Sequence, residues 1–304
     1  MKKLDDNILD QIMQHLEIER VMGTEWLPVR KPAEKKPEKE SRAGGSGSKA
    51  PAEKAAAGSG ARADARRDEG SGSGPAGGLP VVEQPLSAAD GREIDRRMAE
   101  LARIEADVKS CVKCPLHQSR TLCVVQDGSP GARLCFVGEG PGYDEDISGI
   151  PFVGKAGQLL TKIISAMGLR REDVYICNTV KCRPPGNRTP TREEMETCWP
   201  FLRKQLETLK PDCIVALGLP AAQMLIKGIT SISSRRGRWT ESMGIPVMPT
   251  YHPAYLLRNA SAKKLVWEDM KKVHQKLSEK VEEKEIVKAG EEAKPTLSLF
   301  NKKG

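Results

Sequence analysis

The chain has 304 residues, a formal net charge of +8 and 38% hydrophobic residues, with a mean hydropathy of −0.48. No apolar run approaches the ~20 residues a bilayer-spanning helix needs, and the low hydropathy implies that part of the chain builds no core. The positive balance fits a polyanionic partner such as nucleic acid, without excluding other partners by itself.

The first segment, MKKLDDNILDQIMQHLEIER, sets acids among its apolar positions and so does not read as a signal peptide. A cytoplasmic protein is expected. Its 8 cysteines are then read as metal ligands or buried thiols rather than disulfides. Residues 4–22 predict a short amphipathic helix, with Leu4, Ile8, Ile12, Leu16 and Glu19 on one stripe and Leu9, Met13 and Val21 beside it. Such a helix is marginal alone and is expected to dock on the core or a partner within a segment 1–30. Residues 31–87 form the next unit. Their stretch SRAGGSGSKAPAEKAAAGSGARADARRDEGSGSGPAGG contains neither aromatic nor β-branched residues, which predicts a disordered linker.

Order is expected to resume at residue 88 and run to 277, followed by a flexible tail over 278–304. Arg133–Val137, Val174–Cys177, Cys213–Leu217 and Val247–Pro249 are short apolar runs suited to buried parallel strands. Between them Leu159, Leu160, Ile163, Ile164 and Met167 repeat at helical spacing, with Gly168 as a stop. Thr191 and Glu194 predict a capping box, and Pro220 sits at a first helical turn ahead of Ala221–Ile226. Strand–helix alternation of this kind predicts a three-layer α/β/α domain. Ligands of such sheets bind at the carboxyl ends of the strands, so the loops that follow carry the chemistry.

The loop after the first strand reads GEGPGYDEDISGIPFVGKAGQLL. Gly138, Gly140 and Gly142 with Pro141 predict a tight turn that lets a flat ligand or a phosphate approach closely. The dinucleotide fingerprint fails because its third glycine falls on Tyr143. Gly149, Gly154 and Lys155 match the Walker spacing, but Ala156 replaces the magnesium-binding hydroxyl and no strand leads into the motif. The acids Asp144, Glu145 and Asp146 with Phe152 fit either a surface loop with a core plug or a pocket wall. Asn178 opens the loop after the second strand; it is a turn former, or an amide that reads the edge of a base. His252 precedes a proline after the last strand. Tyr255, Leu256, Leu257 and Arg258 then make an apolar tip that either wedges a base stack or packs on the core.

Cys135, Cys177 and Cys213 lie inside strand runs as buried thiols, and Cys123 has no evident partner. Cys111 and Cys114 form a C-x-x-C pair, while Cys182 and Cys198 lie on a proline-rich loop and the helix after it. Four thiolates bind either zinc or a [4Fe–4S] cluster, and spacing does not choose between them.

Together GEGPGYDED, GIPFVGKAGQLL, VYICNTVKCRPPGNRTP and PTYHPAYLLRN closely resemble, in order, the motifs of family-4 uracil-DNA glycosylases, over about Cys111 to Asp269. The resemblance implies a four-stranded parallel sheet and removal of uracil from DNA by hydrolysis. It assigns Cys111, Cys114, Cys182 and Cys198 to a [4Fe–4S] cluster, favouring iron over zinc. It places Glu139 and Gly140 in the water-positioning motif and Glu145 as a guard of the pocket. Phe152 then stacks on the flipped base, Asn178 reads uracil, His252 faces its O2, and Leu256 is the DNA wedge. Gly140 departs from glycosylases that carry an aspartate base there, which leaves water activation to Glu139, to backbone groups, or to a dissociative bond cleavage. A non-catalytic iron–sulfur DNA-binding protein is the alternative function. A relative that bonds covalently to the abasic site needs a reactive histidine on a basic insertion, and SISSRRGRWTE has none. The expected partner is uracil-containing DNA and the expected state is a monomer. In the tail, Thr296, Leu297, Leu299 and Phe300 in TLSLF resemble the peptide by which bacterial repair proteins grip the sliding clamp, with Thr296 in place of the usual glutamine.

Overall fold

The computed structural model describes residues 91–292. The expectations for the N-terminal helix, the linker and the clamp peptide lie outside the described residues.

Helix α1 (Gly91–Lys109) leads into a six-stranded sheet of order β1-β3-β2-β4-β6-β5. The four inner strands, β2 (Leu134–Gly138), β3 (Tyr175–Asn178), β4 (Cys213–Leu217) and β6 (Ile245–Thr250), are parallel and coincide with the four expected apolar runs. Two short antiparallel strands were not foreseen: β1 (Asp127–Gly128) along β3 and β5 (Thr240–Ser242) along β6. Every residue of β2, β3 and β4 is buried, so these strands show no alternation of polarity, as helices on both faces require.

Alternate residues feed two cores. Cys135, Val137, Cys177, Ile214 and Ala216 point to one face and pack with Leu101, Ile104 and Val108 of α1 and Leu202 and Leu206 of α4 (Arg192–Leu209). Leu134, Phe136, Ile176, Val215 and Met248 point to the other face. There they meet Leu160, Ile163 and Ile164 of α3 (Lys155–Ala166) and Trp267, Met270 and Val273 of α8 (Ala262–Glu292). Each fully buried Leu, Ile or Phe contributes about 1.5–3 kcal/mol of transfer free energy, so this two-sided burial is what holds the three layers. Arg133 bolts the layers further: its guanidinium pairs with Asp212 and donates to the Leu277 carbonyl of α8 at 2.7 Å.

Local signals are in place. Gly168 follows α3 with φ +74°. Thr191 Oγ1 accepts from Glu194 N at 3.3 Å while Glu194 Oε2 accepts from Thr191 N at 2.8 Å, a cap worth about 1 kcal/mol. Pro220 lies in the first turn of α5 (Leu219–Leu225). One boundary moves: α8 runs to Glu292, past the end at 277 expected for the folded unit. The stretch EKVEEKEIVKAGEE is rich in strong helix formers, and that local propensity extends α8.

Chain order also fixes where a ligand goes. From β2 the chain crosses to β3 on one side, then returns past β2 to β4 on the other. The crevice at such a reversal opens at the carboxyl ends of the strands.

Candidate active site and cysteine cavity

A cavity of about 470 Å³ sits at that reversal. Glu139 and Gly140 follow β2, Asn178 ends β3, His252 follows β6, and Glu145 and Phe152 come from the β2–α3 connection; all of them line it. The structure therefore gathers six expected site residues, separated by more than a hundred positions, into one pocket.

Phe152 is placed under strain. Its φ is +56°, a left-handed conformation that costs a non-glycine residue about 1–2 kcal/mol. Two contacts enforce it. Arg171, paired with Asp127 at 2.8 Å, donates to the Phe152 carbonyl at 3.1 Å and to Pro151 O at 2.6 Å. Gly157 lets α3 approach so closely that a Cβ there would lie 1.9 Å from the Phe152 carbonyl. The Phe152 and His252 ring centroids are 5.6 Å apart at 30°, too near to admit a third ring, so the two are adjoining walls of the pocket.

Gly138, Gly140 and Gly142 serve close approach rather than unusual dihedrals, for none has a positive φ. A Cβ on Gly138 would lie 2.4 Å from Asn178 Oδ1 and 2.5 Å from Phe152 Cζ, and one on Gly140 would lie 2.7 Å from Val180 Cγ2. The Walker-like spacing is accounted for by capping: Gly149 closes α2 (Tyr143–Ser148) and Gly154 opens α3.

The polar groups have distinct states. Asn178 is 1% exposed, and its Oδ1 is a buried acceptor with no hydrogen-bond partner, a condition costing roughly 1–3 kcal/mol. His252 caps α7 (Pro253–Arg258): its Nδ1 accepts from Ala254 N at 3.1 Å. Burial, then the charge of Arg258, lowers its pKa from 6.5 to about 4. The ring is thus neutral near neutral pH, with the proton on Nε2. Burial raises the Glu139 pKa, against the pull of a hydrogen bond with Thr189. Glu145 is occupied by the loop itself, accepting from Gly142 N at 3.0 Å and from Val153 N and Gly154 N at 2.9 Å. It ties the two sides of the pocket lip together.

Leu256, expected at the DNA wedge, is 0% exposed and packs in the core beside α3 and α8. Successive residues of a helix point about 100° apart, so burying Leu256 turns its neighbours outward: Leu257 is 50% exposed and Tyr255 38%. Of the two adjacent leucines, Leu257 is the one that faces solvent.

Cys111, Cys114, Cys182 and Cys198 line one small second cavity together with Val108, Phe201, Lys113, Lys181 and Arg120. Arg120 donates to Cys182 Sγ at 3.2 Å and to the Cys111 carbonyl at 2.8 Å, stitching the C-x-x-C loop to the proline-rich loop. Among the described residues no group of three or more His, Cys, Asp or Glu has the geometry to grip a single ion; the four thiols share a cavity. Cys123, unassigned from sequence, hydrogen-bonds with Cys182 and also reaches the Val108 carbonyl at 3.4 Å.

Sequence reasoning missed Arg171, Arg120 and Lys181, since a lone basic residue in a polar loop reads as solvated. Lys181 is instead 1% exposed.

A sheet whose parallel strands reverse direction of winding at its centre, with a pocket at the reversal, defines a doubly wound α/β domain with its ligand site at the strand ends. The profile of the Uracil DNA glycosylase superfamily matches residues 125–271. Type-4 uracil-DNA glycosylases from Thermotoga maritima and Archaeoglobus fulgidus are 52% and 44% identical to the chain, over 57% and 58% of its length and 93% and 92% of theirs. A type-5 uracil-DNA glycosylase from Pyrobaculum aerophilum is 36% identical over 42% of this chain and 64% of its own. The chain belongs to the type-4 uracil-DNA glycosylase family.

Proposed function

We propose that the protein hydrolyses the N-glycosidic bond of deoxyuridine in DNA, releasing free uracil and leaving an abasic site. The observation that carries this reading is the orphaned Oδ1 of Asn178. A buried acceptor without a donor is completed by a ligand that supplies one, and uracil N3–H does so while the Asn178 amide N–H donates to O4. Cytosine presents the reverse pattern and leaves both groups unpaired, which supports discrimination of about 10⁴ or more. The base reaches the pocket by flipping out of the stack. Phe152 gives it a face, and the strain held there pre-forms the wall before substrate arrives.

Bond cleavage places negative charge on departing uracil. His252 Nε2–H, neutral and fixed by its own backbone acceptor role, donates to O2 as that charge develops. Glu139 is the one acidic group of the water-positioning pair, since Gly140 carries no side chain, and it orients water toward the sugar. Hydrolysis by water, without a covalent lysine intermediate, gives an abasic site and not a strand break. Lys155, Arg188 and Arg258 on the pocket rim suit DNA phosphates.

Four sulfurs from three separate parts of the chain around one cavity are a donor set suited to a [4Fe–4S] cluster, with Cys111, Cys114, Cys182 and Cys198 as ligands. Burial raises the thiols of Cys114 and Cys198, the latter to about 11. Ligation must therefore expel their protons, and a multiply charged metal centre supplies the driving force. A bound cluster would contribute structure, tying the loop after α1 and the proline-rich loop to α4 through Cys111, Cys114, Cys182 and Cys198. The terminal TLSLF segment extends the reading to a sliding-clamp partner, tested by binding of a peptide spanning Lys294 to Gly304.

The test is Asn178→Asp on an oligonucleotide with one uracil. Its carboxylate cannot donate to O4, so excision should fall ~10³-fold or more with folding intact; near wild-type excision removes Asn178 from base reading.

A further inference from the structure

We propose that Lys181 is a positioning residue that couples the cysteine cavity to the reading of uracil, through the backbone of Asn178. This rests on the readings above that Asn178 recognises uracil and that the four cysteines carry an iron–sulfur centre.

The side chain of Lys181 turns back along its own loop. Its Nζ donates to the Asn178 carbonyl at 2.8 Å and to Gln205 Oε1 at 2.5 Å, and both acceptors are neutral. Lys181 also lines the four-cysteine cavity and is bonded directly to Cys182. Gln205 is itself fixed, donating to the Val125 carbonyl at 3.1 Å and to the Tyr175 hydroxyl at 3.2 Å, at 0% exposure. The segment between Asn178 and Cys182 has little freedom left: Thr179 N donates to Gly138 O at 2.9 Å, Val180 N to Glu139 O at 3.2 Å, and Lys181 O accepts from Val124 N at 2.8 Å.

A buried cation with neutral acceptors is costly unless a negative group stands nearby. Four thiolates around a cluster are net negative, and Lys181 reaches their cavity wall. The charge of a bound cluster would favour Nζ in the interior; there Nζ holds the Asn178 carbonyl, and the carbonyl fixes the direction from which the Asn178 amide leaves the strand. Displacing a recognition group by about 1 Å costs up to 10²-fold in rate, so a single backbone hydrogen bond at this place has leverage on the chemistry.

The experiment uses the full-length, iron-loaded protein and Lys181→Met, which keeps length and burial while removing charge and donor. Three quantities are read: the reduction potential of the cluster, the single-turnover excision rate on a one-uracil oligonucleotide, and affinity for the same oligonucleotide carrying an abasic site. Loss of a nearby positive charge should lower the potential. Excision should fall about 10- to 100-fold, while affinity for the abasic product, which offers no base to read, stays within about twofold. An unchanged potential, an unchanged excision rate, or an equal loss in product affinity overturns the proposal. If Lys181→Met does not retain iron, Gln205→Met takes its place. It frees one side of Nζ and keeps the charge, so a smaller loss of excision with the potential intact is expected, and wild-type excision overturns the proposal. Asn178→Asp run alongside separates the two readings. If it excises normally, the base-reading assignment has failed; if it is inactive while Lys181→Met is active, only the role of Lys181 has.

Discussion

The His252 imidazole should remain uncharged down to acidic pH, and the consequence is measurable in stability as well as in rate. Burial, with Arg258, takes its pKa from 6.5 to about 4; at about 1.4 kcal/mol per unit the shift corresponds to about 3 kcal/mol. The sign follows from which state takes the proton. An unfolded chain protonates His252 near 6.5, whereas the folded protein refuses the proton until about pH 4. Stability from this group is thus complete above 6.5, declines as pH falls through the window from 6.5 to 4, and is flat below it. Titration of the imidazole Cε1–H resonance by NMR checks this, and with 4 histidines in the chain one His252→Ala spectrum assigns the signal. The same variant should show a shallower loss of unfolding free energy across that window. It should also lose about 10²–10³ in single-turnover excision with product affinity preserved, because the lost hydrogen bond strengthens only as charge develops. Since His252 does not titrate between about pH 5 and 8, any acid limb of the rate belongs to Glu139, which burial moves above its usual 4.5. An imidazole titrating near 6.5, or a rate limb there that disappears in His252→Ala, refutes the reasoning.

Leu257→Ala should leave thermal stability within about 0.5 kcal/mol of wild type and slow excision from duplex more than from single-stranded DNA. Leu256→Ala should instead cost about 2–5 kcal/mol of stability, measured by denaturant unfolding; the opposite pattern would return the wedge to Leu256. Cys198→Ala should abolish the brown colour and the bound iron together, by absorbance and metal analysis, and a colourless wild type with stoichiometric zinc would count against the cluster.

How far the structure was legible in the sequence depends on what each residue answers to. The inner strands were readable because burial on both faces leaves continuous apolar runs. Strands β1 and β5 were not, since Asp127–Gly128 and Thr240–Ser242 have no apolar pattern and exist only through their neighbours' free edges. Asn178 and His252 stood out because they sit at or just past strand ends, and Phe152 because it lies in the β2–α3 connection, each within a recognisable motif; the structure brings all three to one pocket. The choice between Leu256 and Leu257 turned on helix phase, which two adjacent leucines do not encode. Arg171 escaped because it binds the carbonyls of Pro151 and Phe152, far back along the chain, and Lys181 because it folds back onto the Asn178 carbonyl of its own loop and onto Gln205; sequence shows no carbonyl's partner.

The two small outer strands have a consequence for how the molecule behaves in a crowded solution. A sheet that ended in β3 and β6 would present two rows of unpaired amides, the template on which chains zip into aggregates. Here each row is blunted by a partner of only two or three residues running the other way. Lateral growth is thereby discouraged on both flanks, while the pocket opens elsewhere, at the carboxyl ends of the strands.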